Sequence, residues 1–245
     1  MKNRYLLGVL LLSVLIICSC EPNSTSVSPE LNPASEGFNS TNSDAKAIAI
    51  ADEVMKSMGG RAAWDATDQL SWTFFGNRQH QWNKAEKTAK IYSPKDDITI
   101  EMNLEDKSGT ASRGDINFTK ADSLDIFLKK GMGWWINDSY WLVMPYKLKD
   151  SGVTLKYIGK DTTQIGRKSD VLELTFADVG VTPDNKYLVY VDDSSRLVTQ
   201  WDFYTNSQDS LPRFQSPWKD YKKYGDIMLA GGSIRGMSLT DISVK

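Results

Sequence analysis

From Gln69 almost to the C-terminus apolar residues recur at every second position, and that period limits what the chain can fold into. Leu70, Trp72 and Phe74 alternate with Ser71 and Thr73, while Ile98, Ile100, Met102 and Leu104 alternate with Thr99, Glu101 and Asn103. Successive side chains of a strand point to opposite faces, so each run buries one face and wets the other. Residues 79–84, 87–93, 110–118, 153–159, 171–176, 186–192, 197–205, 218–224 and 237–244 read as further strands. Pro94-Lys95-Asp96-Asp97, Pro183-Asp184-Asn185 and Asp192-Asp193-Ser194-Ser195 supply turns between them. Short connections place sequential strands side by side, which predicts one large, strongly curved antiparallel sheet.

One helical stretch precedes this period and another interrupts it. Ala47, Ile48, Ile50, Ala51, Val54, Met55 and Met58 recur at helical spacing after Ser43 and Asp44, which suit a helix start, and Gly59-Gly60 closes the segment. Arg61 to Asp68 adds one or two helical turns with Trp64 pointing inward. Leu124, Phe127 and Leu128 then mark a short helix up to Lys130, and after Gly131-Met132-Gly133 a second short helix is predicted, capped by Asp138 or Ser139 and stopped by Pro145. Six large aromatics fall within residues 127–146, more than one helical stripe can bury. They either plug the concave side of the sheet or line a cavity there.

The N-terminus addresses the compartment. Lys2 and Arg4 precede an apolar run of 13 residues, Tyr5 to Ile17, short of the roughly 20 that span a bilayer. It reads as a signal peptide over residues 1–19. In Ile17-Cys18-Ser19-Cys20 an aliphatic residue stands three places, and a small one immediately, before Cys20, the pattern for acylation of that thiol. Cys18 fails the pattern because the bulky Ile17 precedes it. Of the 23 residues Glu21 to Ser43, 16 are Ser, Asn, Pro, Thr or Gly, so residues 20–43 are expected to be a lipidated Cys on a disordered tether, with one folded domain over 44–245. The only two Cys are Cys18 and Cys20, so a processed chain has no disulfide and holds its core by burial alone.

A lipidated Cys, an amphipathic helix, a curved antiparallel sheet and a central helical segment ending Tyr140-Trp141-Leu142-Val143-Met144-Pro145-Tyr146-Lys147-Leu148 resemble the LolA/LolB/LppX-type lipoprotein-sorting fold. The paired segments Tyr187-Leu188-Val189-Tyr190-Val191-Asp192-Asp193 and Leu197-Val198-Thr199-Gln200-Trp201 are similar to its hairpin. The resemblance implies an α+β half-barrel, an unclosed barrel with helices on its concave side, and a hydrophobic cavity for acyl chains. The anchor is similar to that of the membrane-bound receptor member rather than the soluble carrier.

Other chemistries find little support. The formal charge is −2 and no run of basic residues exceeds a pair, so nucleic acid is not an expected partner. One His, His80 in Arg78-Gln79-His80-Gln81-Trp82, precludes sites needing two imidazoles and reads as a solvent-facing or hydrogen-bonded side chain rather than the base of a nucleophile. Asp96, Asp97, Glu101, Glu173, Asp192, Asp193 and Asp202 are the acids a carboxylate hydrolase could use, but Glu101 and Glu173 face outward on their strands and the Asp pairs lie in turns, leaving a hydrolase as a third reading. No cofactor, metal site or catalytic residue is expected.

The resulting expectation is a monomeric, non-enzymatic lipoprotein tethered through acylated Cys20 to the extracytoplasmic side of a bacterial membrane, the outer membrane by the resemblance. It would bind a lipid or acylated-protein ligand, whether or not it also passes that ligand on. Trp72, Phe74, Ile100, Met102, Leu155, Leu174 and Trp201 would form the cavity wall, with Trp134, Trp135 and Trp141 as the lid. The rival is a surface or structural lipoprotein with a filled core that binds a protein or glycan through exposed aromatics. Metabolic fatty-acid labelling should be lost in Cys20→Ser and kept in Cys18→Ser; equal labelling of Cys20→Ser and the parent would refute lipidation at this position.

Overall fold

The computed structural model describes residues 31–177, 183–232 and 237–245. The expected signal peptide, Cys20 and the start of the tether lie outside these residues. The fold is α+β. A meander of β1 (Gln69–Phe74), β2 (Arg78–Asn83), β3 (Thr88–Ser93), β4 (Ile98–Asn103), β5 (Gly109–Arg113) and β6 (Ile116–Asn117) is joined at β1 by the C-terminal β14 (Leu239–Val244), giving a seven-stranded antiparallel sheet. The expected single strand at 110–118 is a hairpin, because Gly114 turns the chain with φ +52°. A second sheet holds β7 (Val153–Thr162), β8 (Lys168–Phe176), β9 (Lys186–Asp192), β10 (Val198–Tyr204) and β11 (Phe214–Pro217), and β12 (Lys219–Tyr224) pairs with β13 (Ile227–Gly232).

These three sheets are pieces of one series. β11 runs into β12 through Trp218, whose N–H donates to Thr199 O of β10 (2.9 Å), and Gly232 at the end of β13 bridges Ser238 next to β14. Strand follows strand from β6 round to β7 without closing. The sequence missed β11, a four-residue strand ending in proline, and β13, whose Ile227-Met228-Leu229-Ala230 shows no alternation.

Between β6 and β7 the chain forms α3 (Ala121–Val143), then a 3-10 turn (Met144–Lys147). The expected break at Gly131-Met132-Gly133 does not occur: one helix of 23 residues runs through both glycines. The reason is close approach to the sheet. A Cβ at Gly131 would sit 2.8 Å from Ile100 Cγ2, so only glycine lets the helix backbone settle on β4. Asp138 and Ser139 are buried mid-helix rather than capping a helix start, whereas Pro145 does stop the α-helix as expected.

Helix α3 splits the interior in two. Its first half lies over Ala89, Ile91, Ile98, Ile100, Met102 and Ala111. Its last turn joins the larger core, where α1 (Ala45–Ser57) buries Ala47, Ile50, Ala51, Val54 and Met55, and the short α2 (Arg61–Asp65) sets Trp64 face to face with Tyr146 at 4.3 Å.

The ordered domain begins earlier than Asp44. Asn32 is buried, its Nδ2 donating to Asp52 and its carbonyl accepting from Lys149 Nζ. Ser35 N donates to Lys149 O, Gly152 N to Gly37 O, and Asn39 N to Val153 O. The described part of the expected tether, residues 31–43, is therefore a strap along residues 149–157. Composition misled here because the strap is held mostly by its backbone and by Asn and Ser side chains, with Phe38 alone packed against the core. Ser43 Oγ accepts from Leu155 N and Asp44 Oδ2 from Tyr157 N, so both residues cover the open edge of β7 instead of capping α1.

Gly131→Ala, which raises helix propensity by about 1 kcal/mol, should still lower the denaturant midpoint, because the added methyl meets a β-branched side chain with little room to yield. In an Ile100→Ala background the same substitution should raise the midpoint, and an increase in both backgrounds would rule out the close-approach explanation.

Candidate functional site

A cleft of about 550 Å³ opens between α3 and the second sheet, within the roughly 300–1,000 Å³ of small-molecule sites. Helical spacing brings Gly133, Ile136, Asn137, Tyr140 and Trp141 onto one stripe of α3. Strand parity brings Trp201 and Phe203 to the facing side of β10. Phe203 sits in register with Tyr187 of β9 and Phe214 of β11, and the three rings pack at 5.1–5.2 Å. Trp201 lies on Tyr187 at 5.0 Å and meets the edge of Trp141 at 4.7 Å. Phe176 and Val153 complete the apolar wall.

Polar groups sit at the border, where Lys147 and Asp150 form an ion pair beside Ser151 and Asn185. Burial pushes the Tyr187 phenol up to about 12, outweighing the hydrogen bond with Asn185, and also raises the Tyr140 phenol well above its ordinary value. Both phenols are neutral at pH 7, so the interior of the cleft carries no charge. It suits an uncharged, apolar part of a ligand.

Asn137 links this cleft to a buried ionic cluster. Its Nδ2 donates to Asp138 Oδ1 (2.8 Å), and Asp138 is fully buried. From β2, Arg78 Nε donates to Asp138 Oδ2 (2.6 Å) and Nη2 to Oδ1 (2.8 Å), while His80 Nε2 lies 2.7 Å from Oδ2. The Arg78 guanidinium lies 5.0 Å from the Phe74 ring and 5.2 Å from that of Trp134, and the His80 ring stacks on Trp72 at 4.6 Å. Burial raises the Asp138 pKa, but the Arg78, His80 and Asn137 hydrogen bonds outweigh it and hold the carboxyl below its ordinary value. His80 is thus a buried, hydrogen-bonded histidine, and the cluster ties the covering helix to the sheet.

The ten side chains expected to enclose one cavity do not do so. Trp72, Phe74, Leu155, Leu174 and Trp201 belong to the larger core, with Trp141 half-buried against it; Ile100 and Met102 belong to the smaller one, with Trp134 and Trp135 against it. The seven wall residues are 0–6% exposed, so the concave side is mostly filled. Only Trp141 and Trp201 border the cleft. Tyr140, Tyr187 and Phe203 were missed: parity with Trp201 placed Phe203 on the same face, whereas Tyr187 needed the β9–β10 register and Tyr140 the helix that runs unbroken from Gly133. Phe214 was missed with its strand.

Two other regions compare poorly. A groove of about 660 Å³ on the outer face of the seven-stranded sheet is lined by Ser71, Gln81, Lys90, Glu101 and Thr110, with Lys90 and Glu101 paired at 2.7 Å, the ordinary wet side of alternating strands. Asp202 is buried, its carboxylate accepting from Gln200, Gln215 and Tyr190. Burial raises its pKa, but no cavity opens onto it among those described. Among the described residues no group of three or more His, Cys, Asp or Glu could hold a metal ion, and no helix is long and apolar enough to cross a membrane.

No protein-family model matches this chain, and no curated protein matches it. Among solved structures the chain is similar to the crystal structure of a DUF1329 family protein from Desulfovibrio piger, at 14% identity and a TM-score of 0.40, over 81% of this chain and 91% of that one.

The ionic cluster has a measurable signature. Asp138→Ala leaves Arg78 without its partner and should cost about 3–5 kcal/mol, most of which Arg78→Met should restore in the double variant. A carboxyl whose folded pKa is depressed adds stability above its unfolded value near 3.9, lost as pH falls through the folded value. Urea midpoints of the parent should therefore fall more steeply below pH 4 than those of Asp138→Asn; parallel pH profiles would show that Asp138 carries no such linkage.

Proposed function

We propose that this chain is a membrane-anchored extracytoplasmic lipoprotein that binds a lipid or acyl-bearing ligand in the cleft between α3 and the β8–β11 face. The observation that carries this reading is the cleft itself: seven aromatic side chains with Ile136 and Val153, and no charged lining residues besides the paired Lys147 and Asp150. Burying each methylene there gains roughly 0.8 kcal/mol, and the border offers hydrogen bonds to a polar head. The sequence resemblance to the LolA/LolB/LppX-type fold points the same way, and the lipidation pattern at Cys20 supplies the anchor.

The rival, a surface lipoprotein binding glycan or protein through exposed aromatics, loses its main support. No aromatic side chain is exposed among the described residues; the exposed large apolar ones are Leu31, Ile116, Ile126, Ile158, Ile165, Leu211 and Met237.

Gly133 makes the test clean, since a Cβ there meets nothing within 4 Å. Gly133→Phe should obstruct the cleft and weaken binding of a fluorescent fatty acid at least tenfold, while leaving the unfolding midpoint unchanged or higher. Leu155→Ala, in the filled core, should lose about 2–5 kcal/mol of stability with little effect on the affinity of the folded fraction. Absence of saturable binding by the parent would overturn the lipid-binding reading.

A further inference from the structure

Two hydroxyl groups lining the cleft are not used by the protein. Tyr146, Tyr157, Tyr190 and Tyr221 each donate their phenol O–H to a protein oxygen. Tyr140 of α3 and Tyr187 of β9, whose ring centres stand 5.6 Å apart, donate to no acceptor among the described residues. Burial raises the Tyr187 pKa and the hydrogen bond with Asn185 lowers it, so the amide donates and the Tyr187 hydrogen stays free. That bond also sets the Tyr187 hydroxyl beside Asn185, at the polar border of the cleft.

An uncharged cleft with unspent donors fits a group that accepts hydrogen bonds and carries no charge. A carboxylate is disfavoured, because Lys147, the one cation of the lining, is already paired with Asp150. A carbonyl oxygen, with two lone pairs and no proton, meets the requirement. The wall restricts what carries that carbonyl. Seven aromatic side chains line the cleft against two aliphatic ones, Ile136 and Val153. A flat ring gains stacked and edge contacts from such a wall beyond the area it buries, whereas a flexible chain gains area alone and loses rotamer freedom. We propose that the cleft recognises a flat, uncharged ring bearing carbonyl oxygens, a quinone-type group, and that Tyr140 and Tyr187 select it by donating to a ring carbonyl. This rests on the lipid-binding reading above and names the part of the lipid that enters. Scaled from benzene in an engineered cavity of about 150 Å³, the cleft holds on the order of 20 carbon atoms, room for a substituted ring and the start of an apolar tail.

The test is equilibrium dialysis of the full chain carrying Cys20→Ser, so that neither detergent nor bilayer competes for the probes. The probes are duroquinone; durene, which keeps the methylated ring skeleton without the oxygens; and mesitoate, a methylated ring with a carboxylate. Duroquinone should bind at least tenfold more tightly than either, because only its carbonyls satisfy the two phenols without bringing a charge. Gly133→Phe should weaken duroquinone binding at least tenfold, and Tyr140→Phe and Tyr187→Phe should each bring the duroquinone-to-durene ratio below about threefold. Tyr140→Phe should keep the parent's unfolding midpoint, since the lost hydroxyl has no protein partner; a lower midpoint would show that the protein already uses it and would overturn the proposal. Durene bound as tightly as duroquinone, mesitoate bound more tightly, or an unchanged ratio in Tyr140→Phe would overturn it as well. The fluorescent fatty acid is read on the same samples: its binding without a duroquinone preference removes only the ring recognition, and no saturable binding of any probe removes the lipid-binding reading with it.

Discussion

Strands that run edge to edge without closing leave a concave apolar face that must be kept from water, and a single helix covers most of it. At 23 residues α3 is about 35 Å long, enough to lie across both cores in turn. Everything else about the interior follows from how that helix is held. Gly131 lets it approach β4, and Asp138, taken wholly out of water, is compensated by Arg78, His80 and Asn137. A buried carboxylate is costly unless its oxygens are satisfied, so this cluster fixes the helix's rotation and height more strictly than apolar contact, which tolerates sliding.

That fixed rotation also determines where the interior stays open. Over the first core, Gly131 meets Ile100 and the surfaces close. Two residues on, a Cβ at Gly133 would meet nothing, and the stripe from Gly133 to Asn137 borders the cleft before Trp141 meets Trp201 at 4.7 Å. The aromatic rings of those strands brace one another, Tyr187 against Trp201 and Phe203 against Phe214, so the wall does not collapse inward. The cleft is the space left between a helix held elsewhere and a self-supporting aromatic wall. Because Asn137 both borders the cleft and donates to Asp138, an occupant pressing on this stripe acts directly on the cluster that holds the helix.

The β7 edge shows how the two ends of the domain are finished. An exposed strand edge invites pairing with another chain, and here residues 39–44 occupy the part of it from Val153 to Tyr157. The same strap ends at Asn32, held by Asp52 and Lys149, so one segment both covers the strand edge and fastens to α1.

The sequence alone determined the strand class, most strand positions, α1 and the inward parity of Trp72, Ile100, Leu155 and Trp201, because each depends on a local period and burial of one face. It also supplied the aromatic surplus between residues 127 and 146. Tertiary structure alone decided what that surplus does. Whether α3 continues through two glycines depends on Ile100, some thirty residues away in sequence; whether Asp138 caps a helix or anchors one depends on Arg78 and His80 from another strand; and whether the Ser- and Asn-rich strap is ordered depends on the β7 edge. The cleft was legible only through Trp141 and Trp201, because a void is set by the distance between two surfaces, and no local period records that distance.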